Sequence, residues 1–475
     1  MEHDYDAIIL GAGQAGPALA ARLTGAGMRT ALVERSHVGG SCVNFGCTPT
    51  KALIASAHAA QVMRRAGRLG VRAPDRVEVD MAEVKARKDR VVAESHDGLL
   101  DWLQHMEGLE LVHAHGRFEG PGRVRVGDEV LRAERVFINT GARARVPDVP
   151  GIDSVPCLTA SGMMEVDELP PHLVVLGGGY VALEFAQMYR RFGSRVSVIE
   201  RGPRLGAKED PDLSEALRGV LEAEGVEVHL DAEPLAVEPR DGWIAVRMRT
   251  ADGEAEVQGS HLLLGVGRVP NSDDLGLDSA GVDTDEGGYV RVDDRLATSA
   301  PGVWALGDVN GRGAFTHTAY NDYEILAANL LDGDDRRVSE RIAAYALYTD
   351  PPLGRVGMNE HQARASGRSV LAASMPMSGV ARARERGETR GLMKMLVDAD
   401  TREILGGAVL GIGGDEVIHV LQALMYAGAP YTLLERAAIG IHPTVSELLP
   451  SLAADLRPLG PDTGHGGTPQ GGNSR

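Results

Sequence analysis

The stretch Asp6-Ala7-Ile8-Ile9-Leu10-Gly11-Ala12-Gly13-Gln14-Ala15-Gly16 decides how this chain folds. Ala7 to Leu10 is an unbroken apolar run, which reads as a short strand buried on both faces. Gly11, Gly13 and Gly16 follow in the G-x-G-x-x-G spacing, and an Ala-rich stretch to about Gly27 reads as a helix. Strand, glycine turn and helix together form a phosphate site, because the bare backbone admits a pyrophosphate and the helix dipole presents its positive end to it. A second strand, Thr30 to Val33, ends at Glu34. A carboxylate about 20 residues past such a turn is placed to accept hydrogen bonds from an adenosine ribose. A glycine turn alone is often only a tight turn; the whole series carries the reading.

The series returns in mid-chain. His172 to Leu176 leads into Gly177, Gly179 and Ala182, then a helix to Phe192, then a strand Val196 to Ile199 ending at Glu200. Two dinucleotides are therefore expected. Pro147, Pro150, Pro170 and Pro171 mark the linker between the two units. Glu200 suits the free ribose hydroxyls of NADH, whereas Arg201 and Arg204 suit the 2′-phosphate of NADPH, so both donors stay open.

Between Glu34 and the next helix lies Gly39-Gly40-Ser41-Cys42-Val43-Asn44-Phe45-Gly46-Cys47-Thr48-Pro49-Thr50-Lys51. Thr48 and Pro49 read as a helix start, with the helix running to about Arg65 and its dipole lowering the Cys47 pKa. The spacing permits a small disulfide loop, and Lys51 stands one turn past Cys47. A zinc site would need four ligands, and the chain has only one further cysteine, Cys157, so no metal site is assigned. Redox use of the pair outweighs two small structural residues.

Composition narrows the partners. At 475 residues the chain should hold about three domains. Its net charge of −18 opposes nucleic acid and anionic membranes as partners. The acidic start, Met1 to Asp6, has no basic signal region, and three cysteines make no disulfide framework, so a cytoplasmic protein is expected. The Gly/Pro/Ser-rich segment 460–475 reads as a disordered tail.

These residues resemble the FAD-dependent pyridine nucleotide-disulfide oxidoreductases, the family of glutathione reductase, lipoamide dehydrogenase and mercuric reductase. The resemblance runs from about Tyr5 to about Leu459. Its motifs come in family order: the first glycine turn, the cysteine segment, Thr140-Gly141-Ala142, the second glycine turn, Gly267-Arg268-Val269-Pro270-Asn271, Gly307-Asp308, and His442-Pro443-Thr444 with Glu447. It implies an α/β fold with two Rossmann-like dinucleotide-binding domains, for FAD and NAD(P), and a C-terminal α+β dimerisation domain. The FAD domain is implied to be split over 1–150 and 275–338, around an NAD(P) domain at 151–274, with 339–459 forming the dimer contact.

Residue by residue, the resemblance implies that Cys47 is the charge-transfer thiolate against the flavin and Cys42 the interchange thiol that meets substrate. Lys51 is implied to lie near flavin N5 and to pair with Glu184, Tyr180 to cover the nicotinamide pocket, and Asp308 to hold the ribityl chain. Gly40, Gly116, Thr140 and Gly141 match positions where the backbone passes close to FAD, and Gly267 matches one near NAD(P). His442, oriented by Glu447, is implied to be the acid/base that completes the neighbouring subunit's site in a homodimer, a role that suits a histidine near neutral pH.

The cysteine segment and Asp350-Pro351-Pro352-Leu353-Gly354-Arg355-Val356-Gly357-Met358 look most like the mercuric-reductase-like branch, which includes a flavoprotein of reactive-chlorine resistance. Mercuric reductases carry a C-terminal cysteine pair that this sequence lacks. A small disulfide, a thiol or a metal ion such as copper are all acceptors compatible with the cysteines. The alternatives are a dihydrolipoamide dehydrogenase-type component of an acyltransferase complex, an NAD(P)H oxidase or quinone reductase, and a flavin redox sensor.

Overall fold

Two five-stranded parallel sheets and one six-stranded antiparallel sheet form the main layers of the computed structural model, which describes residues 1–74, 76–436 and 439–461. The expected tail lies, from residue 462 onward, outside the described residues.

The first sheet runs in the order Val303–Ala305, Arg135–Ile138, Ala7–Leu10, Thr30–Glu34, Leu109–His113. Its central strand is covered on both sides, which is why it reads as unbroken apolar sequence. Ile8 and Leu10 pack with Phe118 and Val124 of an antiparallel meander on one face. Ala7 and Ile9 pack with Leu19, Leu23 and Ile325 of helices Ala15–Gly25 and Thr316–Leu331 on the other. A strand near residue 303 thus shares a sheet with strands from the first 140 residues, across the whole intervening segment.

The second sheet repeats the plan: Cys157–Leu158, His261–Leu264, His172–Leu176, Arg195–Ile199, Val226–His229. Leu173 and Val175 face the helix Tyr180–Phe192, while Val174 and Leu176 face Val237, Ile244 and Val246 of a three-stranded meander. The third sheet, Ala344–Leu347, Leu353–Gly357, Ile404–Leu410, Leu392–Asp398, Val370–Pro376, Arg457–Pro458, is antiparallel. Ile418 and Leu421 of helix Gly414–Tyr426 bury against it with Val356 and Val409. This is a mixed α/β molecule with two Rossmann-like layers and a C-terminal α+β layer.

Polar bonds cross between the layers. Arg191, 3% exposed, places Nη2 2.6 Å from Glu224 Oε1 and Nη1 2.6 Å from Asp350 Oδ2. His58 Nδ1 meets the same Asp350 oxygen at 2.8 Å. Burial opposes ionisation of Asp350, but His58 and Arg191 hold its carboxyl well below the usual range. Helix Cys47–Arg65, helix Tyr180–Phe192 and the turn between strands Ala344–Leu347 and Leu353–Gly357 of the third sheet meet there. Arg191→Met should remove the shared, buried cation from two largely covered carboxylates and destabilise the protein by about 3 kcal/mol, seen as a lower urea midpoint at unchanged slope.

Candidate functional site

The cysteine segment folds as two helices meeting at one glycine. Cys42 lies on a separate short helix, Gly40–Phe45, which the sequence pattern did not announce. The following helix begins at Cys47 itself and not at Thr48 and Pro49. A Cβ at Gly46 would fall 2.7 Å from Ser41 O and 3.1 Å from Cys42 Cα, so only glycine lets the two helix ends close on each other. Cys47 consequently occupies the first turn of its helix, where unpaired N–H groups favour an anion.

Both sulfurs are free thiols here, and their surroundings split them. A hydrogen bond from Cys42 is the main influence on Cys47; burial opposes it, but Thr316 Oγ1 at 3.3 Å and the Lys51 charge assist, and the thiol falls to about 6. The same Cys42–Cys47 bond, together with burial, pushes Cys42 far up. The surroundings thus favour the thiolate at Cys47 and the protonated form at Cys42.

Lys51 and Glu184, expected as partners, do meet. Lys51 Nζ lies 2.9 and 3.2 Å from the two Glu184 oxygens and 4.4 Å from the centre of the Tyr348 ring. Glu184 is buried and also accepts from Tyr348 N at 2.9 Å. Tyr180, the first residue of its helix, donates its hydroxyl to Glu209.

Cys42, Cys47, Lys51, Glu184, Tyr348 and Tyr180, but not Glu209, line one cavity of 920 Å³. Gly11, Gly13, Glu34, Gly40, Gly116, Thr140, Gly141 and Asp308 form its walls, with Cys42, Cys47, Lys51, Tyr180 and Glu184. The volume is near the top of the range of about 300–1,000 Å³ usual for ligand sites. Gly11, at φ +106°, sits so close to the neighbouring strand end that a Cβ would be 2.3 Å from Asn139 O. Asn139 then donates Nδ2 to Gly11 O at 2.9 Å and Gly13 O at 3.4 Å, clamping the turn open. Gly16 stands behind the turn, its N bonded to Gly13 O at 2.9 Å. Glu34 accepts from Ala12 N and Ser36 N, both at 2.8 Å. Burial raises the Asp308 carboxyl, against the pull of Arg268, whose Nε is 3.6 Å away. An acid-ended glycine turn and an acidic thiol with its lysine thus share the lining of one cavity, a residue set that FAD fits.

The second turn lies apart. Gly177, Gly179, Ala182, Glu200 and Gly267 do not line this cavity. Glu200 accepts from Gly178 N at 2.5 Å and Gly202 N at 2.7 Å, repeating the geometry of Glu34. Gly267 accepts from Arg145 N at 2.9 Å. Arg201 is exposed and Arg204 half-buried. His442 Nδ1 is 3.1 Å from both Glu447 oxygens, but its side chain is 73% exposed and neither residue lines the cavity.

Sequence reasoning did not single out Asn139, Thr316, Glu209 or Tyr345. Asn139 directly precedes the Thr140-Gly141 turn and was within reach of it; Thr316 lies 269 residues from Cys47 and had no local signal. Among the described residues, the one carboxylate cluster spaced for a metal, Asp210, Asp212 and Glu360, already holds a cation: Lys394 Nζ lies 2.7 Å from Asp212 and 2.5 Å from Glu360. No helix among them is long and apolar enough to cross a membrane.

Residues 5–322 match the family description "Pyridine nucleotide-disulphide oxidoreductase", and residues 343–453 match its dimerisation domain. The chain is 35% identical over 456 residues to the probable pyridine nucleotide-disulfide oxidoreductase RclA of Escherichia coli, covering 94% of this chain and 98% of that one. It is 34% identical over 439 residues to a mercuric reductase of Streptomyces lividans, covering 91% and 92%. A solved structure described as the Cu(II) complex of the HOCl-induced flavoprotein disulfide reductase RclA superposes with a TM-score of 0.86 at 34% identity, covering 95% of this chain and 99% of that one.

Asn139→Ala should loosen the first turn. The purified protein is expected to retain severalfold less flavin per chain and to lose about 1–2 kcal/mol of stability, measured by the flavin-to-protein absorbance ratio and by denaturant titration.

Proposed function

This chain belongs to the pyridine nucleotide-disulphide oxidoreductases, FAD-dependent enzymes with NAD(P)H as electron donor, and from that premise we propose that electrons leave through Cys47 and then Cys42 to a small acceptor. The observation that supports this most is the split thiol pair on the wall of the cofactor cavity: Cys47 acidic and Cys42 held protonated. Bound FAD supplies two-electron exchange between nicotinamide and disulfide.

The chain's own residues divide the remaining work. Cys47 is the inner sulfur, kept as a thiolate by Cys42, Thr316 and Lys51. Glu184 fixes the Lys51 ammonium beside it. Cys42 is the outer sulfur and attacks or ligates the acceptor once deprotonated. Its proton goes to His442 of the partner subunit, whose Nδ1 is oriented by Glu447 as a general base requires. The matched dimerisation domain supports the homodimer this demands. Tyr180 covers the nicotinamide pocket until the donor enters, and Glu200 binds the donor's ribose.

For the acceptor we favour a soft metal ion or a small disulfide, since thiolates bind the first and exchange with the second. The likeness to mercuric reductases and to a flavoprotein solved with Cu(II) supports the metal.

Two outcomes test this reading. Cys42→Ser should leave flavin reduction by NAD(P)H intact and abolish acceptor reduction; surviving acceptor turnover would favour an oxidase or quinone reductase. In the two-electron-reduced wild type, the long-wavelength band of a thiolate beside flavin should be present at pH 8 and fade as pH falls through about 6, because a depressed thiol pKa keeps the anion only above it. Thr316→Val should move that midpoint upward.

A further inference from the structure

The hydroxyl of Tyr180 is tied to a group that has no part in the redox chemistry. It donates to Oε1 of Glu209, and the same oxygen accepts from Tyr345 Oη at 2.8 Å. The other oxygen, Oε2, lies 2.6 Å from Arg355 Nε, and Arg355 Nη2 is 2.9 Å from Asp210. The Glu209 side chain is 0% exposed and that of Arg355 2%. The rings of Tyr180 and Tyr345 lie 5.4 Å apart, and Tyr345 stacks on Phe315 at 5.5 Å, so the ring beside Tyr180 is itself held in place.

Three parts of the chain build this cluster. Glu209 precedes helix Pro211–Glu222 of the second dinucleotide unit, Tyr345 and Arg355 come from two strands of the six-stranded sheet, and Phe315 precedes helix Thr316–Leu331. Neither Glu209 nor Tyr345 lines the cofactor cavity, while Tyr180 does. A buried carboxylate that an arginine has already oriented is a strong, directional acceptor. Burial and the nearby Glu209 charge push the Tyr180 hydroxyl well up, so it stays a neutral donor.

We propose that Glu209, aligned by Arg355 and Tyr345, is the latch of the nicotinamide pocket: it holds Tyr180 closed and thereby sets how readily NAD(P)H gains entry. This rests on the reading of Tyr180 as the pocket's cover. Glu209 acts through Tyr180 and is a positioning residue. A donor that binds only the open state has its apparent affinity lowered by the fraction of molecules that are open. Weakening the latch raises that fraction, and donor binding tightens and quickens.

The test uses the flavin-loaded dimer, with anaerobic stopped-flow reduction of the flavin by NADH and by NADPH in wild type, Glu209→Gln, Tyr345→Phe, Tyr180→Ala, and Tyr345→Phe combined with Tyr180→Ala. Glu209→Gln and Tyr345→Phe are expected to raise the second-order rate of flavin reduction and lower the donor KM by about threefold to tenfold, the scale of one lost hydrogen bond. The KM for acceptor should not move. In the Tyr180→Ala background, Tyr345→Phe should add nothing, since there is no hydroxyl left to hold.

If Tyr180→Ala speeds reduction while Glu209→Gln and Tyr345→Phe match wild type, the latch is wrong and the cover stands. If Tyr180→Ala changes nothing, the cover fails and the latch fails with it. Variants that only melt earlier, with donor KM unmoved, also overturn the latch. Should Glu209→Gln not fold, Tyr345→Phe, which deletes one oxygen, carries the test alone.

Discussion

The helix that begins at Cys47 and the helix that begins at Tyr180 are locked side by side, and the site depends on that contact. Apolar packing of Leu53 and Ala57 against Leu183, Phe185 and Ala186 holds the pair together. At the end nearest the cavity the contact becomes ionic: Lys51 reaches the buried Glu184. A buried carboxylate demands a cation, and this one is placed a single turn from the thiolate. Packing two dinucleotide units together therefore also brings a positive charge to the sulfur.

The same economy recurs along the shared boundary. Arg191, two turns past Glu184 on the same helix, is neutralised by Glu224 of its own unit and Asp350 of the third. Arg355 of the third sheet is neutralised by Glu209 and Asp210 of the second unit. Charges buried at such seams contribute little net stability, yet they penalise any other register of the three layers, because a misaligned seam leaves an unpaired ion. The orientation needed to set thiols, lysine and tyrosine around one cavity is held in this way.

Polarity within the thiol pair is a further product of the close approach at Gly46. Two equivalent thiols would share a proton without preference. Here the one at a helix start, facing Thr316 and Lys51, is favoured as the anion, and the one on the preceding short helix is favoured with its hydrogen. The asymmetry distinguishes the two sulfurs before any cofactor is considered.

Much of this was legible in the residues alone. Both glycine turns with their terminal acids, the cysteine pair and Lys51 follow from local rules: the spacing of glycines around a turn, unbroken apolar runs for doubly covered strands, and one turn of helix between Cys47 and Lys51; the three-layer plan came through likeness to relatives. Even the pairing of Lys51 with Glu184 was foreseen, though only through likeness to relatives. What tertiary structure alone decided are contacts between residues remote in sequence: Thr316 against Cys47, Asn139 against the first turn, Glu209 and Tyr345 against Tyr180. A threonine, an asparagine or a glutamate carries no signature of the partner it will meet, because hydrogen bonding is short-ranged and the chain brings such partners together only when whole layers pack. The separate helix of Cys42 belongs with these, since six residues are too few to show a helical period and owe their helix to the packing around them.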